Sequence, residues 1–166
     1  MTAMTNLATN EPARTLASEY LRSLRLVERL HRQLLDVIKD ELDRQGRTDV
    51  NSVQALLLFN IGDDELTAGE LRTRGHYLGS NVSYNLKKLV EAGYIRHQRS
   101  DSDRRSVRVR LTPQGQSVRD LLEGLFTRQL AALEPVARLD APVLGDINDA
   151  LVRLERFWED HIRYRL

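Results

Sequence analysis

Residues 79–112 read GSNVSYNLKKLVEAGYIRHQRSDSDRRSVRVRLT, and this stretch decides the fold. Its first part predicts a short helix, because apolar residues recur at the i, i+4 and i+7 positions that share one helical face. These residues are Val82, Leu86 and Leu89. Ser80 stands at the start of the helix as an N-cap candidate, and Gly93 lies just beyond its end, where glycine commonly stops a helix.

The opposite face of this helix carries side chains that suit a nucleic acid. Asn, Ser and Tyr can hydrogen-bond to base edges or to phosphates, and Lys attracts phosphates. The candidates are Ser80, Asn81, Ser83, Tyr84, Asn85, Lys87 and Lys88. None of them is acidic, so the face is compatible with a polyanion.

Two basic strands are predicted to follow the helix. Residues 94–99 form the first, and residues 107–111 form the second, in which Val or Leu alternates with Arg at the strand period of two. Between them, residues 100–105 have the polar composition of an exposed hairpin tip. A polar, basic helix followed by a basic hairpin indicates a winged helix.

Positive charge is concentrated in this part of the chain. Residues 72–110 hold ten Lys/Arg and three Asp/Glu, a net charge of +7, whereas the rest of the 166-residue chain carries −6. Such a patch attracts a polyanion and releases condensed counterions on binding. Most charge runs are solvated faces, but this one coincides with a helix and a hairpin. We therefore predict double-stranded DNA as the partner.

The preceding residues predict the rest of a helix-turn-helix. Asn51 can cap a helix that runs through Leu58 and Ile61 and is apolar nearly all round, which indicates a buried position. Thr67 and Glu70 form a T-x-x-E capping box that opens another short helix. Two short helices joined by a turn, with the polar one second, form a helix-turn-helix.

A long helical stripe precedes this central region. Apolar residues step by three or four through residues 16–42, and Gly46 is expected to end the helix. At 1.5 Å per residue the helix would be ~45 Å long, which one small lobe cannot cover. A second copy of the chain is the simplest cover, so we expect a homodimer.

Two more helices are predicted after the wing. Thr112 as the N-cap and Pro113 at the first helical position start the first, which Pro135 is expected to break. Asp140 starts the second. The expected fold is mainly α with a small β-wing. Its predicted parts are a disordered tail at 1–12, a helical dimerisation region at 13–46 and 113–166, and a winged helix-turn-helix DNA-binding domain at 50–112.

The composition excludes several other classes of protein. The chain has no cysteine, which excludes disulfides, Cys-ligated metal and thiol-based redox sensing. No apolar run reaches the ~18 residues of a membrane span, and no signal-peptide core lies near the N-terminus, so a cytoplasmic protein is expected. The histidines show no metal-ligand spacing, and no nucleotide-binding glycine motif is present, so we expect no cofactor and no enzymatic activity.

Residues 103–115 resemble the wing signature of the MarR family of transcriptional regulators. The pattern is Asp103-Arg104-Arg105, five further residues, and then Leu-Thr-Pro-Gln-Gly at 111–115. The helix at 80–89 is similar to the recognition helix of that family. One difference occurs at Ser100, where the family often has an additional Asp, so the outer turn of this wing is expected to be held differently.

The resemblance covers the chain from about residue 16 to the C-terminus. Within the family the chain is most similar to the L,D-transpeptidase regulators, the LdtR-like subgroup. Three stretches carry this likeness, at residues 26–32, 53–62 and 154–158.

The resemblance also implies a role for each site residue. The helix at 80–89 would enter the major groove, with Lys87 and Lys88 on phosphates. Asn81, Ser83, Tyr84 and Asn85 would contact base edges or phosphates. At the wing tip, Arg105 would enter the minor groove, oriented by Asp103, while Arg104 would lie against the DNA backbone.

A small effector is a further implication of the family. It is often a phenolic or other aromatic acid, bound where the helical and DNA-binding regions meet. The sequence does not identify its pocket; His31, on the apolar stripe of the first helix, is a candidate, although an interface histidine is the more common outcome at such a position.

An alternative function is a DNA-binding architectural protein without sequence specificity. Such a protein would need mainly Lys/Arg and an apolar wedge, whereas this helix offers Asn, Ser and Tyr side chains for base edges. A pure dimerisation module is also disfavoured, because charge is segregated into one region. We therefore expect a sequence-specific regulator on a pseudo-palindromic operator.

Overall fold

The computed structural model describes residues 15–62, 66–67, 70, 79–99 and 107–164, and only the backbone of 79–82, 98–99 and 107. The predicted tail at 1–12 lies outside these residues. The described elements are α1 (Leu16–Arg44), α2 (Ser52–Ile61), β1 (Leu66–Thr67), α3 (Gly79–Glu91), β2 (Ile95–Arg99), β3 (Val107–Leu111), α4 (Pro113–Ala137) and α5 (Ala141–Tyr164). By its contacts the chain divides into two compact units, Met1–Val53 and Gln54–Leu166. Among the described residues, no helix combines the length and apolarity needed to cross a membrane.

The first unit contains the long helix α1. A capping box starts it: Thr15 Oγ1 accepts from the Ser18 N–H at 3.1 Å, and Ser18 Oγ accepts from the Thr15 N–H at 3.1 Å. The helix ends at Arg44, and Gly46 follows with a left-handed φ of 67°. The predicted stop at Gly46 is therefore confirmed, because glycine adopts this conformation without the penalty that a Cβ brings.

Along α1 the apolar stripe changes from exposed to buried. Ile38 and Leu42 near its C-terminal end are fully buried. Towards the N-terminal end, Leu16 is 88% exposed, and Tyr20, Val27 and Leu34 each expose more than a third of their surface. The N-terminal two thirds of the stripe are therefore uncovered within a single chain.

In the second unit, α2 lies in the core as predicted. Four of its residues are buried and lie on one side of the helix, namely Ala55, Leu57, Leu58 and Ile61, and none of its other residues is exposed. The Phe59 ring meets the Phe126 ring of α4 edge to face, with centroids 5.2 Å apart. This contact joins α2 to α4 by a favoured aromatic geometry.

The three strands form one antiparallel sheet in the order β1-β3-β2. Val109 of β3 stands opposite His97 of β2 and Leu66 of β1. Val109 is buried, whereas Arg108 and Arg110 are exposed, so the predicted alternation of Val and Arg along β3 is confirmed. The sequence did not predict β1, because two residues cannot display a period of two.

The T-x-x-E capping box is also present. The Thr67 N–H donates to Glu70 Oε2 at 2.7 Å, and Thr67 Oγ1 accepts from the Glu70 N–H at 3.1 Å. Thr67 thus ends β1 and makes both capping-box hydrogen bonds with Glu70. The remainder of the predicted first helix of the helix-turn-helix and most of the predicted connecting turn, at residues 71–78, lie outside the described residues.

The start of α4 is joined to the end of α3 and the start of β2. Thr112 Oγ1 accepts from the Gly115 N–H at 3.2 Å as the predicted N-cap, and its hydroxyl donates to the Gly93 carbonyl at 2.6 Å. The Thr112 N–H donates to the Tyr94 carbonyl at 3.0 Å. Gly115 packs on this backbone so closely that a Cβ there would collide with the Tyr94 carbonyl oxygen.

Two predictions about helix ends were wrong. Ser80 does not precede its helix, because Gly79 is already helical, and Ser80 therefore lies in the first turn of α3. Pro135 does not break α4, which continues to Ala137 and ends at Arg138 in the left-handed conformation. The missing N–H of a proline frees the carbonyl four residues earlier, that of Ala131, and Ala131 is exposed, so water can bond to the freed carbonyl.

The last helix, α5, is amphipathic, and its apolar residues are only partly covered. Asp140 caps it, with Oδ1 accepting from the Val143 N–H at 2.9 Å, as the sequence predicted. None of its 24 residues is buried. Large apolar side chains on it expose two fifths or more of their surface: Val143, Ile147, Leu151, Val152, Phe157, Ile162 and Tyr164.

Candidate nucleic-acid interface

Helix α3 is anchored by its apolar face. Leu86 and Leu89 are buried, and the helix packs against β2. Gly93 has a left-handed φ of 80° and ends α3 as predicted, and the Tyr94 N–H then donates to the Leu89 carbonyl at 2.8 Å. Tyr94 itself is buried, so the chain passes from the helix into the strand with little freedom.

The other face of α3 is open to solvent. Ser83, Tyr84, Lys87 and Lys88 are exposed, and Asn85 is half-buried. Tyr84 exposes 62% of its surface, an unusual amount for an aromatic residue outside an interaction surface. The structure thus places the described part of the predicted polar face together, on the solvent side of the helix.

The two lysines of α3 are held by neighbours on the same helix. Lys88 Nζ lies 6.0 Å from the centroid of the Tyr84 ring and 3.2 Å from Glu91 Oε2. Lys87 Nζ lies 3.9 Å from Glu91 Oε1. The lysine side chains are 75% and 47% exposed for Lys87 and Lys88, so both ammonium groups can be reached by an incoming anion.

The sheet adds an arginine pair that the sequence did not assign to the site. Arg96 of β2 and Arg110 of β3 are directly opposite in the register, and both are exposed. Like charges facing each other across two strands are destabilising unless an anion lies between or above them. The Val-Arg alternation of β3 was the signal that could have identified Arg110, because it places the arginines on the solvent face.

Several predicted site residues fall outside what the structure describes. Ser80 and Asn81 lie in the first turn of α3, but their side chains are not described. Asp103, Arg104 and Arg105 of the wing tip, together with Ser100, lie outside the described residues. Their roles at the minor groove stay predictions.

An open cavity of about 720 Å³ lies where α3, β2 and the start of α4 meet. Val90, Ile95 and Pro113 contribute apolar surface, while Arg96 and His97 contribute polar surface. Gly93, Thr112 and Gln114 complete the lining. His31, the candidate effector residue, is exposed on α1 and does not line this cavity.

Comparison with known proteins relates the chain to transcription regulators. A family model described as a winged helix DNA-binding domain matches residues 50–115. The exopolysaccharide II synthesis transcriptional activator ExpG of Rhizobium meliloti is 39% identical over 151 residues, covering 87% of this chain and 74% of that protein.

Two solved structures share the fold at lower sequence identity. FabT of Streptococcus pneumoniae in complex with DNA is 20% identical with a TM-score of 0.66, covering 85% of this chain and 98% of that one. A mutant of MarR from E. coli complexed with operator DNA is also 20% identical, with a TM-score of 0.64, covering 85% of this chain and 99% of that one.

Proposed function

Because this chain belongs to the MarR family of DNA-binding transcriptional regulators, we propose that it acts as a sequence-specific homodimer on a pseudo-palindromic operator. The observation that carries the proposal is the exposed polar face of α3, which has Ser83, Tyr84 and Asn85 beside Lys87 and Lys88. Such a face offers hydrogen bonds for base edges and cations for phosphates on one helix.

Uncovered apolar stripes support the homodimer. The N-terminal part of α1 and the whole of α5 expose large apolar side chains at helical spacing. Helices with such a stripe normally bury it, and a second copy of the chain supplies identical stripes in a two-fold arrangement. In this proposal residues 13–46 and 113–166 dimerise, and residues 50–112 bind DNA.

On DNA, each α3 occupies a major groove and each wing the adjacent minor groove. Lys87 and Lys88 neutralise phosphates, and the exposed pair Arg96 and Arg110 extends the same cationic surface along the sheet. Arg105, outside the described residues, enters the minor groove. A two-fold dimer then contacts successive major grooves on one side of the duplex.

Selection of duplexes from a random pool, followed by hydroxyl-radical footprinting, tests the proposal. We expect an enriched inverted repeat whose half-site centres lie about 34 Å, or about 10 bp, apart. A single isolated half-site would contradict the dimeric arrangement. Uniform protection of every sequence would favour the alternative of an architectural protein without sequence specificity.

We propose further that a small aromatic acid regulates binding through the cavity beside α3. Its volume lies in the range of small-molecule sites, and its lining combines apolar residues with Arg96, a residue type that suits a ring bearing a carboxylate. Benzoate and hydroxybenzoate derivatives should raise the melting temperature of the protein and weaken its hold on the selected duplex. Because Arg96 is also proposed to contact DNA, the melting temperature is the readout for Arg96→Ala. In this variant the carboxylates should no longer raise the melting temperature, while uncharged phenols lose less of their effect. An equal rise in wild type and Arg96→Ala would place the effector elsewhere, with His31 the next position to change.

The subgroup within the family, and whether the protein activates or represses transcription, are also proposals. The stretches at 26–32, 53–62 and 154–158 support membership of the LdtR-like subgroup, whereas the relative ExpG is an activator of exopolysaccharide synthesis. Binding of the protein to duplexes from upstream of an L,D-transpeptidase gene and of an exopolysaccharide gene, measured side by side, distinguishes these targets. We propose activation as the sign, and a reporter that falls when the chain is deleted would support it.

A further inference from the structure

The last turn of α3 places one acidic residue among the basic ones. Glu91 is half exposed, and its carboxylate accepts a hydrogen bond from Lys88 Nζ at 3.2 Å. Its other oxygen lies 3.9 Å from Lys87 Nζ. A single carboxylate therefore faces both lysines that are proposed to bind phosphates.

Helix stability does not account for an acid at this position. Glu91 is the last residue of α3, where the carbonyl groups give the helix a partial negative charge that repels a carboxylate. Exposed ion pairs such as these contribute little to folding, because water and salt screen them. The position of Glu91 is therefore better explained by its effect on the lysines than by its effect on the helix.

The same contacts place Glu91 in competition with DNA. Lys88 Nζ contacts the Glu91 carboxylate and lies over the face of the Tyr84 ring. A phosphate that binds Lys88 must share or displace this carboxylate, and its own negative charge is repelled by Glu91. The pairs are exposed enough to open, so this competition lowers the affinity for phosphates without abolishing it.

We propose that Glu91 is a specificity-determining residue that weakens binding to unmatched DNA more than binding to the operator. On unmatched DNA, phosphate attraction supplies essentially all of the affinity, and this is the contribution that Glu91 opposes. On the operator, contacts with base edges fix the register of α3 and hold the phosphates against the lysines. The inference rests on the proposed function, since it requires a preferred DNA sequence.

Glu91→Gln tests the proposal, with Glu123→Gln as its matched control. Glu123 is exposed on α4, so its variant changes the net charge of the chain by the same amount away from α3. The probes are the duplex enriched from the random pool and a scrambled duplex of the same length and composition. We expect Glu91→Gln to tighten binding to the scrambled duplex roughly three- to ten-fold at low salt, with a steeper salt dependence, and to change binding to the enriched duplex by less than about two-fold. Glu123→Gln should leave the ratio of the two affinities at the wild-type value.

Two further variants test whether the effect of Glu91 depends on its contacts with the two lysines or only on its negative charge. Glu91→Asp keeps the charge, but its shorter side chain reaches the lysines less well. The ratio of the affinities for the enriched and scrambled duplexes should therefore lie between the values for wild type and Glu91→Gln. In a chain that carries Lys87→Gln and Lys88→Gln, the additional Glu91→Gln change should have no effect on the affinity ratio, as a double-mutant cycle requires for a coupled group.

The inference is overturned if Glu91→Gln binds both duplexes as wild type does, or tightens both equally. It is overturned as well if the effect persists without the lysines. A wild-type protein that binds the enriched and scrambled duplexes equally would instead refute the proposed function, and that result is visible before any variant is measured.

Discussion

Gly115 lies where helix α4 starts against the backbone of Tyr94. Gly115→Ala puts a Cβ into the Tyr94 carbonyl oxygen, and backbone cannot move aside as a flexible side chain can. We expect a loss of about 1–3 kcal/mol in the free energy of unfolding, measured by urea denaturation, as for other overpacked sites.

Gly145 supplies the control for this substitution. A Cβ at Gly145, in the first turns of α5, meets nothing within 4 Å. Gly145→Ala should therefore stabilise the protein by up to about 1 kcal/mol through helix propensity alone. Equal effects at the two glycines would show that the contact with Tyr94 does not constrain residue 115.

Arg105 and Asn85 are expected to act in different ways on DNA. Arg105→Ala should weaken binding to all sequences, reduce the salt dependence by about one counterion per subunit, and lessen any preference for flanking A·T tracts. Asn85→Ala should instead relax the preference at particular operator positions, by ~1–3 kcal/mol where a base contact is lost.

Affinities of both variants for operator and scrambled duplexes at two salt concentrations test this prediction. If Arg105→Ala binds like wild type at both salts, Arg105 is a solvated loop residue and the assignment of the wing is wrong. That result would leave the assignment of α3 intact, since α3 rests on its own exposed polar face.

At the scale of elements, Thr112 connects α3, β2 and α4. Its hydroxyl donates to the Gly93 carbonyl and accepts from the Gly115 N–H, and the residue is only 9% exposed. Thr112→Ala leaves that carbonyl without its donor and α4 without its N-cap, so we expect a loss of about 2–4 kcal/mol. Thr15 is an exposed N-cap with only local bonds, and Thr15→Ala should cost about 1 kcal/mol in thermal or urea unfolding.

Thr112→Ser provides the control, because it keeps the hydroxyl and removes only a methyl group. Its free energy of unfolding should lie close to that of wild type. If Thr112→Ala lost as little free energy of unfolding as Thr15→Ala, the connecting role of the Thr112 side chain would be contradicted.

Elements with a strong local signal were predicted closely from the sequence. The ends of α1 at Gly46 and of α3 at Gly93, the cap at Thr112 and the alternation in β3 all depend on neighbouring residues. The Thr15–Ser18 capping box was missed, although the T-x-x-S spacing was visible.

The remaining features depend on tertiary pairing or on solvent, which local patterns do not encode. Strand β1 forms only because Leu66 meets Val109 of β3, more than forty residues away in the sequence. Helix α4 continues past Pro135, and Ala131, whose carbonyl the proline leaves without an N–H partner in the helix, is exposed. For the site, the helix face was predictable from its polar residues, whereas the opposition of Arg96 and Arg110 required the register of the hairpin.

For the whole molecule, the exposed stripes predict that the folded chain requires a partner copy. We expect sedimentation equilibrium to give a dimer at micromolar concentration, with a melting temperature that rises with protein concentration. Leu151→Glu places a charge in the α5 stripe and should yield a monomer or an unfolded chain.

Arg153→Glu is the control, because Arg153 is exposed on the same helix and the variant also introduces a glutamate there, with a change in net charge of −2 against −1 for Leu151→Glu. This variant should sediment as wild type does. A wild-type chain that is folded and monomeric at micromolar concentration would exclude the dimer.

Helix α4 can transmit movement between its two ends, because its first turn is fixed where it joins the wing. Its 25 residues make it about 37 Å long, and Thr112 and Gly115 pin its first turn to the backbone at Gly93 and Tyr94. The helix is thus a lever whose fulcrum lies at the junction of α3 and β2. A tilt of about 5° at the fulcrum moves the far end of such a helix by about 3 Å. In the opposite direction, a shift of a few ångströms at the far end becomes a rotation of only a few degrees at the wing.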